Sequence, residues 1–193
     1  MNIFEYVNKA MHGEISKPEN PNQEAGTQPH HTLKGATIPA ALAALYAHAE
    51  DEEARGRIAA AIKKHPDAKD IADKEILHLL FGSRQQAVCR TVAEYSGVTP
   101  EAAATSLAAS GRAGLEGLRH HLGDKAADGA AVARYLMMQR KNILEHLPAQ
   151  LQLGRILEKE DMEDVVHKMS GPFSSVIQKI GEIGDASSGN TRE

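Results

Sequence analysis

The stretch Val92-Ala93-Glu94-Tyr95-Ser96-Gly97-Val98-Thr99-Pro100-Glu101 decides the fold class. Val92 and Tyr95 continue a helical face begun at Val88, and Gly97 supplies the stop at the helix end. Thr99-Pro100 reopens a helix at once. Threonine caps well, proline fits the first helical turn, and Glu101 sits where the helix dipole favours an acid. Ala93, four residues before Gly97, is small enough to let the two helices approach. This is the spacing of a helix-turn-helix, over residues 84–111.

The same punctuation repeats outward in both directions. Thr37 reads as an N-cap before Pro39, with Ile38, Leu42, Leu45 and Tyr46 at helical spacing. Asp51 caps a helix carrying Ile58, Ala59 and Ile62, which Pro66 ends. Asp73 or Lys74 opens a short helix over Glu75 to Phe81, Gly82 stops it, and Ser83 caps the next. Beyond Thr99 the helix runs through Leu107, Leu115, Leu118 and Leu122, with Gly111, Gly114 and Gly117 as points where it could kink. Val132, Leu136, Ile143 and Leu147 form the apolar side of a further helix leading to Pro148. No alternating run of β-branched or aromatic residues exceeds a few positions, so no strand is expected. The fold class is all-α: a compact multi-helix domain containing a helix-turn-helix.

The ends have a different composition. Ile3, Phe4, Val7 and Met11 place an apolar stripe on a short amphipathic helix over 1–12. From 13 to 36 the chain is rich in Pro, Asn and Gln with almost nothing apolar, and reads as a flexible linker. The helical domain then spans 37–183. Within it come the acidic run Glu158 to Asp164, a helix holding Val165, Val166 and Met169, and a last amphipathic helix with Phe173, Val176, Ile177 and Ile180. Residues 184–193 read as a disordered tail.

Composition narrows the function classes. Among 193 residues 41% are hydrophobic and only 4% aromatic, without Trp, while 30 are Ala, so the core must be aliphatic and small. A formal charge of -4 excludes the strongly basic footprint of a chain that coats nucleic acid. One Cys excludes a disulfide framework and any multi-thiolate metal site. No secretory pattern opens the chain and no apolar run approaches a membrane span, so cytoplasmic residence is the expectation.

Beyond these patterns, Ile76-Leu77-His78-Leu79-Leu80-Phe81-Gly82 is followed by Gln85-Gln86-Ala87-Val88, by Val92 through Thr99, and by Ala104-Thr105-Ser106-Leu107. With Tyr135-Leu136-Met137-Met138-Gln139 and Leu147-Pro148 downstream, this order resembles the YidB-like family, a bacterial domain of unknown function, over about residues 76–157. The resemblance implies an all-helical fold with a homeodomain-like helix-turn-helix. It implies no catalytic residue.

Chemistry-bearing residues are sparse. A DNA reader needs Arg, Lys, Asn or Gln on its second helix, and Thr99 to Gly111 contains none of them. Glu116 with His120, and Glu163 with His167, are i,i+4 pairs that could together make a four-ligand metal site if their helices met. Such pairs also arise as ordinary helix-surface contacts. His78 reads as partly buried and hydrogen-bonded, and Cys89 as a small buried hydrophobe. No nucleophile elbow, P-loop or dinucleotide fingerprint occurs. Residues 131–157 carry Arg134, Arg140, Lys141 and Arg155 against Glu145. Residues 158–171 answer with five acids against Lys159 and Lys168.

These observations favour a non-enzymatic helical interaction or scaffold domain with no cofactor. It would bind a protein partner or itself through Phe4, Val7, Met11, Phe173 and Ile177. A nucleic-acid-associated regulator and a metal-binding enzyme are the alternatives.

Overall fold

The structure, a computed structural model, describes residues 2–14 and 32–157. Every regular element among them is helical. They are α1 (Ile3–Glu14), α2 (Leu33–Ala49), α3 (Glu52–Lys64), α4 (Asp73–Phe81), α5 (Gln85–Ser96), α6 (Pro100–Leu122), α7 (Gly129–Leu144) and the single turn α8 (Leu153–Ile156). Short 3₁₀ turns link several of them. The expected helices at 165–183 and the tail at 184–193 lie outside the described residues.

Two central helices organise the rest. Helix α2 is mostly Ala, Leu and Ile, so from Ala36 to Ala49 it has no polar face to turn outward and is buried almost all round. It packs against α3, α5, α6 and α7. Helix α6 packs against α1, α2, α4 and α5. Its inner side is Ala103, Ser106, Leu107, Ser110, Gly111, Gly114, Leu115 and Leu118.

Helix α6 lies close to both α4 and α2 because its facing residues are small. A Cβ on Gly111 would stand 2.6 Å from Leu80 Cδ1, and one on Gly114 would stand 2.8 Å from Leu45 Cδ1. These glycines therefore seat neighbouring leucines and do not kink the helix, which is continuous over 23 residues. Three buried hydroxyls fix the register. Thr37 Oγ1 lies 3.0 Å from Ser106 Oγ and accepts from Ser110 Oγ at 3.2 Å. Pairing the hydroxyls with one another avoids the cost of burying them unsatisfied.

That role for Thr37 corrects the expected start of the domain. Helix α2 begins five residues earlier, at Leu33, and its cap is Thr32, whose side chain accepts from the Gly35 N–H at 3.1 Å. Thr37 is fully buried and Pro39 lies inside the helix. At the other end α1 extends to Glu14, beyond its expected bound at 12, and the rest of the stretch read as a linker, 15–31, lies outside the described residues. Ser83 is corrected too. Gly82–Arg84 forms a 3₁₀ turn, so Arg84 occupies the cap position of α5 without a side-chain cap.

Asp51 and Thr99 cap as the sequence indicates, and Asp128 is a further cap. The Asp51, Thr99 and Asp128 side chains accept from the N–H groups of Ala54, Ala102 and Ala130. Gly82, Gly97 and Gly123 end α4, α5 and α6 with positive φ, where a side chain would be strained. Arg119 ties the helices on one side together. Its guanidinium donates to the carbonyls of Ile62 and His65 at the end of α3 and to Glu116.

Candidate interaction surfaces

Helix α1 is the first expected contact element, and the structure docks it on its own chain. Asn2 and Glu5 form a reciprocal cap: Asn2 Oδ1 accepts from the Glu5 N–H at 2.8 Å, and Glu5 Oε2 accepts from the Asn2 N–H at 3.2 Å. Ile3, Val7 and Met11 are fully buried in the common core. Lys34 Nζ donates to the Met11 carbonyl at 3.2 Å, tying the helix to α2. The assignment of Val7 and Met11 to a partner is therefore corrected, because their apolar stripe is covered by α6 and its neighbours. Phe4 is half-buried and stacks on His146 with ring centroids 3.8 Å apart. Phe173 and Ile177 lie outside the described residues.

The outer rim of this docked helix is an aromatic and imidazole cluster. Tyr6 stacks on His120 at 4.9 Å and meets His121 edge-on at 6.0 Å, and His121 stacks on Tyr135 at 5.3 Å. Burial holds the His121 imidazole below its ordinary pKa, and the neighbouring His120 charge adds to this. Its Nε2 is buried without a hydrogen-bond partner, which equally disfavours a proton there. Burial pushes the Tyr135 hydroxyl up to about 12. His146 is held by its own helix end, with Nδ1 2.7 Å from the Asn142 carbonyl.

Of the metal candidates, the described pair Glu116 and His120 engages other partners. Glu116 Oε1 accepts from the Ala68 N–H and from Arg119, both at 2.8 Å, while its sequence partner His120 faces Tyr6. Glu163 and His167 lie outside the described residues. Among the described residues no group of three or more His, Cys, Asp or Glu side chains is placed to hold a metal ion. His78 is exposed and not partly buried, and the histidine with the expected role is His48, whose Nε2 lies 2.8 Å from the Leu80 carbonyl. Cys89 is buried as expected, and burial pushes its thiol up, away from the thiolate a nucleophile needs.

Helices α5 and α6 are joined through Gly97 in the left-handed conformation, with the Val98 N–H bonding the Ala93 carbonyl at 3.0 Å. The second helix of this pair is the central helix of the fold, and its middle is buried on most sides. What it leaves exposed at its start is Thr99, Pro100, Glu101 and Thr105, with no cation among them.

Two other surfaces stand out. Met137 and Met138 are 49% and 73% exposed, whereas the apolar side of α7 (Val132, Leu136, Ile143) is fully buried. Arg134, Met138, Lys141 and Glu145 follow one another at helical spacing along the outer side of α7 and its C-terminal end, and all are exposed. The sequence contained the signal: the stripe at 132, 136 and 143 leaves 134, 137, 138 and 141 on the other side. The second surface is an open groove of about 500 Å³ between Arg84, Ala87 and Thr91, at and after the start of α5, and Gln150, Gln152 and Arg155, before and within α8. Gln152 adopts φ 46°, uncommon for a side chain other than glycine, and turns the chain along the groove into α8.

Comparison of the chain with protein-family models, with curated proteins and with solved structures finds no match in any of the three. No helix among the described residues is long and apolar enough to cross a membrane.

Proposed function

We propose that this protein is a non-catalytic helical interaction module that takes a protein partner on the outer face of α7. The observation that carries the reading is the pair Met137 and Met138, the large hydrophobic side chains left exposed among the described residues. Methionine is flexible and polarisable, and it suits a contact surface that must adapt to another helix. Arg134 and Lys141 flank the pair, so the favoured partner element is an amphipathic helix with acids bordering its apolar stripe. The local excess of positive charge in a chain of net charge -4 supports the same orientation.

This reading keeps the general role suggested by the sequence while moving the contact from α1 to α7. The test is a photo-crosslinking residue at position 138, with one at the exposed position Arg57 as control. Adducts with one protein species at 138 and none at 57 support the assignment. In parallel, the double variant Met137→Glu/Met138→Glu loses the partner with an unchanged melting curve. A partner that is still retained by the double variant overturns it.

A further inference from the structure

Arg134, Met138, Lys141 and Glu145 follow one another at steps of four, three and four, the spacing of a coiled-coil seam. On a helix these steps keep all four within a narrow arc, opposite the buried Val132, Leu136 and Ile143. Among the described residues Arg134 and Lys141 have no ion pair, and Glu145 has only a 3.9 Å contact with the adjacent His146. Glu145 is also the C-cap of α7, where the helix dipole disfavours an acid. The stripe therefore carries an unpaired cation at one end, a poorly placed acid at the other, and an exposed methionine between them.

Such a stripe is complementary to itself when reversed. A two-fold axis perpendicular to α7, passing between positions 139 and 140, sets Arg134 of each copy against Glu145 of the other. The same axis sets Met138 of each copy against Lys141 of the other, so that the lysine stem covers the thioether while its ammonium reaches water. Each arginine also brings a cation to the C-terminal end of the facing helix, where the dipole favours one. A parallel pair would instead oppose Arg134 to Arg134 and Glu145 to Glu145, and like charges placed across a contact are costly.

We infer that the outer face of α7 docks a second copy of this chain, α7 against α7 and antiparallel. The inference rests on the reading of that face as a docking surface and names its occupant. A contact of one helix face per copy belongs to the class below about 1,200 Å², that of weak and transient complexes, so the dimer forms at about micromolar concentration.

Sedimentation of the purified full chain from low to high micromolar concentration tests this, with the weight-average mass expected to rise toward twice that of one chain. Arg134→Glu and Glu145→Arg, both at exposed positions, each place like charges across the axis and weaken association about ten-fold with the helical circular dichroism unchanged. Mixed in equal amounts, the two variants associate with one another, and Arg134→Glu/Glu145→Arg associates with itself as the wild-type chain does. A wild-type chain that stays monomeric, single variants that associate undiminished, or a folded double variant that does not recover overturns the proposal.

The photo-crosslinking residue at position 138 separates that failure from failure of the docking reading. In the purified protein, an adduct of twice the chain mass joined within residues 137–145 of the second copy supports the proposal. An adduct within a single chain overturns it in favour of a segment of the same chain. An adduct formed only with a different protein, in the host lysate, overturns the second copy and leaves the docking reading standing. No adduct in either sample overturns both.

Discussion

Where α6 meets α4, beside its contact with α2, the Cβ that Gly111 lacks would stand 2.6 Å from Leu80 Cδ1 and 2.7 Å from Ile76 Cγ2. Where α6 meets α1, the Cβ that Gly117 lacks would stand 3.2 Å from both Ile3 Cγ1 and Tyr6 Cδ1. Both contacts use glycine to admit a neighbour, yet they are built to different tolerances. The first is closed by aliphatic side chains and, alongside, by three buried hydroxyls. The second is closed by aliphatic side chains inside and by titratable rings at its rim. One helix thus carries a fixed internal contact and a contact whose strength depends on conditions.

The largest test asks whether the second contact is structural at all. Deleting residues 1–14 removes Ile3, Val7 and Met11, three large side chains with no exposure, and uncovers the α6 surface beneath them. At roughly 1.5–3 kcal/mol for each side chain the loss is about 5 kcal/mol or more. That is comparable to the whole stability of a typical domain. Chemical denaturation of the truncated chain is expected to show a midpoint near zero denaturant. A midpoint within error of the full chain would make α1 a peripheral attachment and undo the comparison.

Next comes the rigidity of the first contact. Gly111→Leu drives a branched side chain into Ile76 and Leu80, and overpacking of this kind costs about 3 kcal/mol. Thr37→Val removes the hydroxyl that joins Ser106 and Ser110 and leaves both without that partner, for about 1–2 kcal/mol. Both appear as lower thermal midpoints with the helical circular dichroism retained. Gly117→Ala is expected to be close to neutral. Its contacts at 3.2 Å require a shift of a few tenths of an ångström, while alanine gains roughly 1 kcal/mol of helix propensity over glycine. Equal losses at 111 and 117 would erase the difference in tolerance.

Much of this architecture was legible in the sequence because it is written in local chemistry. The capping residues Asp51 and Thr99 and the helix-ending Gly82 and Gly97 act within four or five residues of themselves, so their pattern reads directly. Thr37 misled because a threonine two residues before a proline has the pattern of a cap, whereas its hydroxyl pairs across 69 residues with Ser106. Residues that meet only in the folded chain leave no local trace. For the same reason Glu116 looked like half of a metal pair, although its carboxylate is taken by the Ala68 N–H 48 residues away. The docking of α1 was open in the sequence, since an amphipathic stripe states that it must be covered and not by what. The exposed methionines of α7 were implicit in its periodicity. The Arg84–Arg155 groove was not, because its walls come together through the turn at Gln152.

The smallest effect is the most specific to the α1 contact. Burial, with the neighbouring His120 second, holds the His121 imidazole below its ordinary value of 6.5. The unfolded chain therefore takes up this proton before the folded chain does. Above 6.5 neither state carries it and the stability contributed by the neutral ring is whole. As the pH falls below that value the unfolded state gains the proton first, and stability drops until the folded pKa is passed. Thermal midpoints measured from about pH 7 down to about pH 5 should decline, with part of the decline abolished in His121→Asn. Tyr6→Leu replaces a ring that meets both His120 and His121, and is expected to reduce the His121 component by admitting water to the imidazole. An identical slope in the wild-type chain and His121→Asn would take the pH dependence away from His121. The rim of the α1 contact would then be as indifferent to protons as the hydroxyl-sealed contact between α2 and α6.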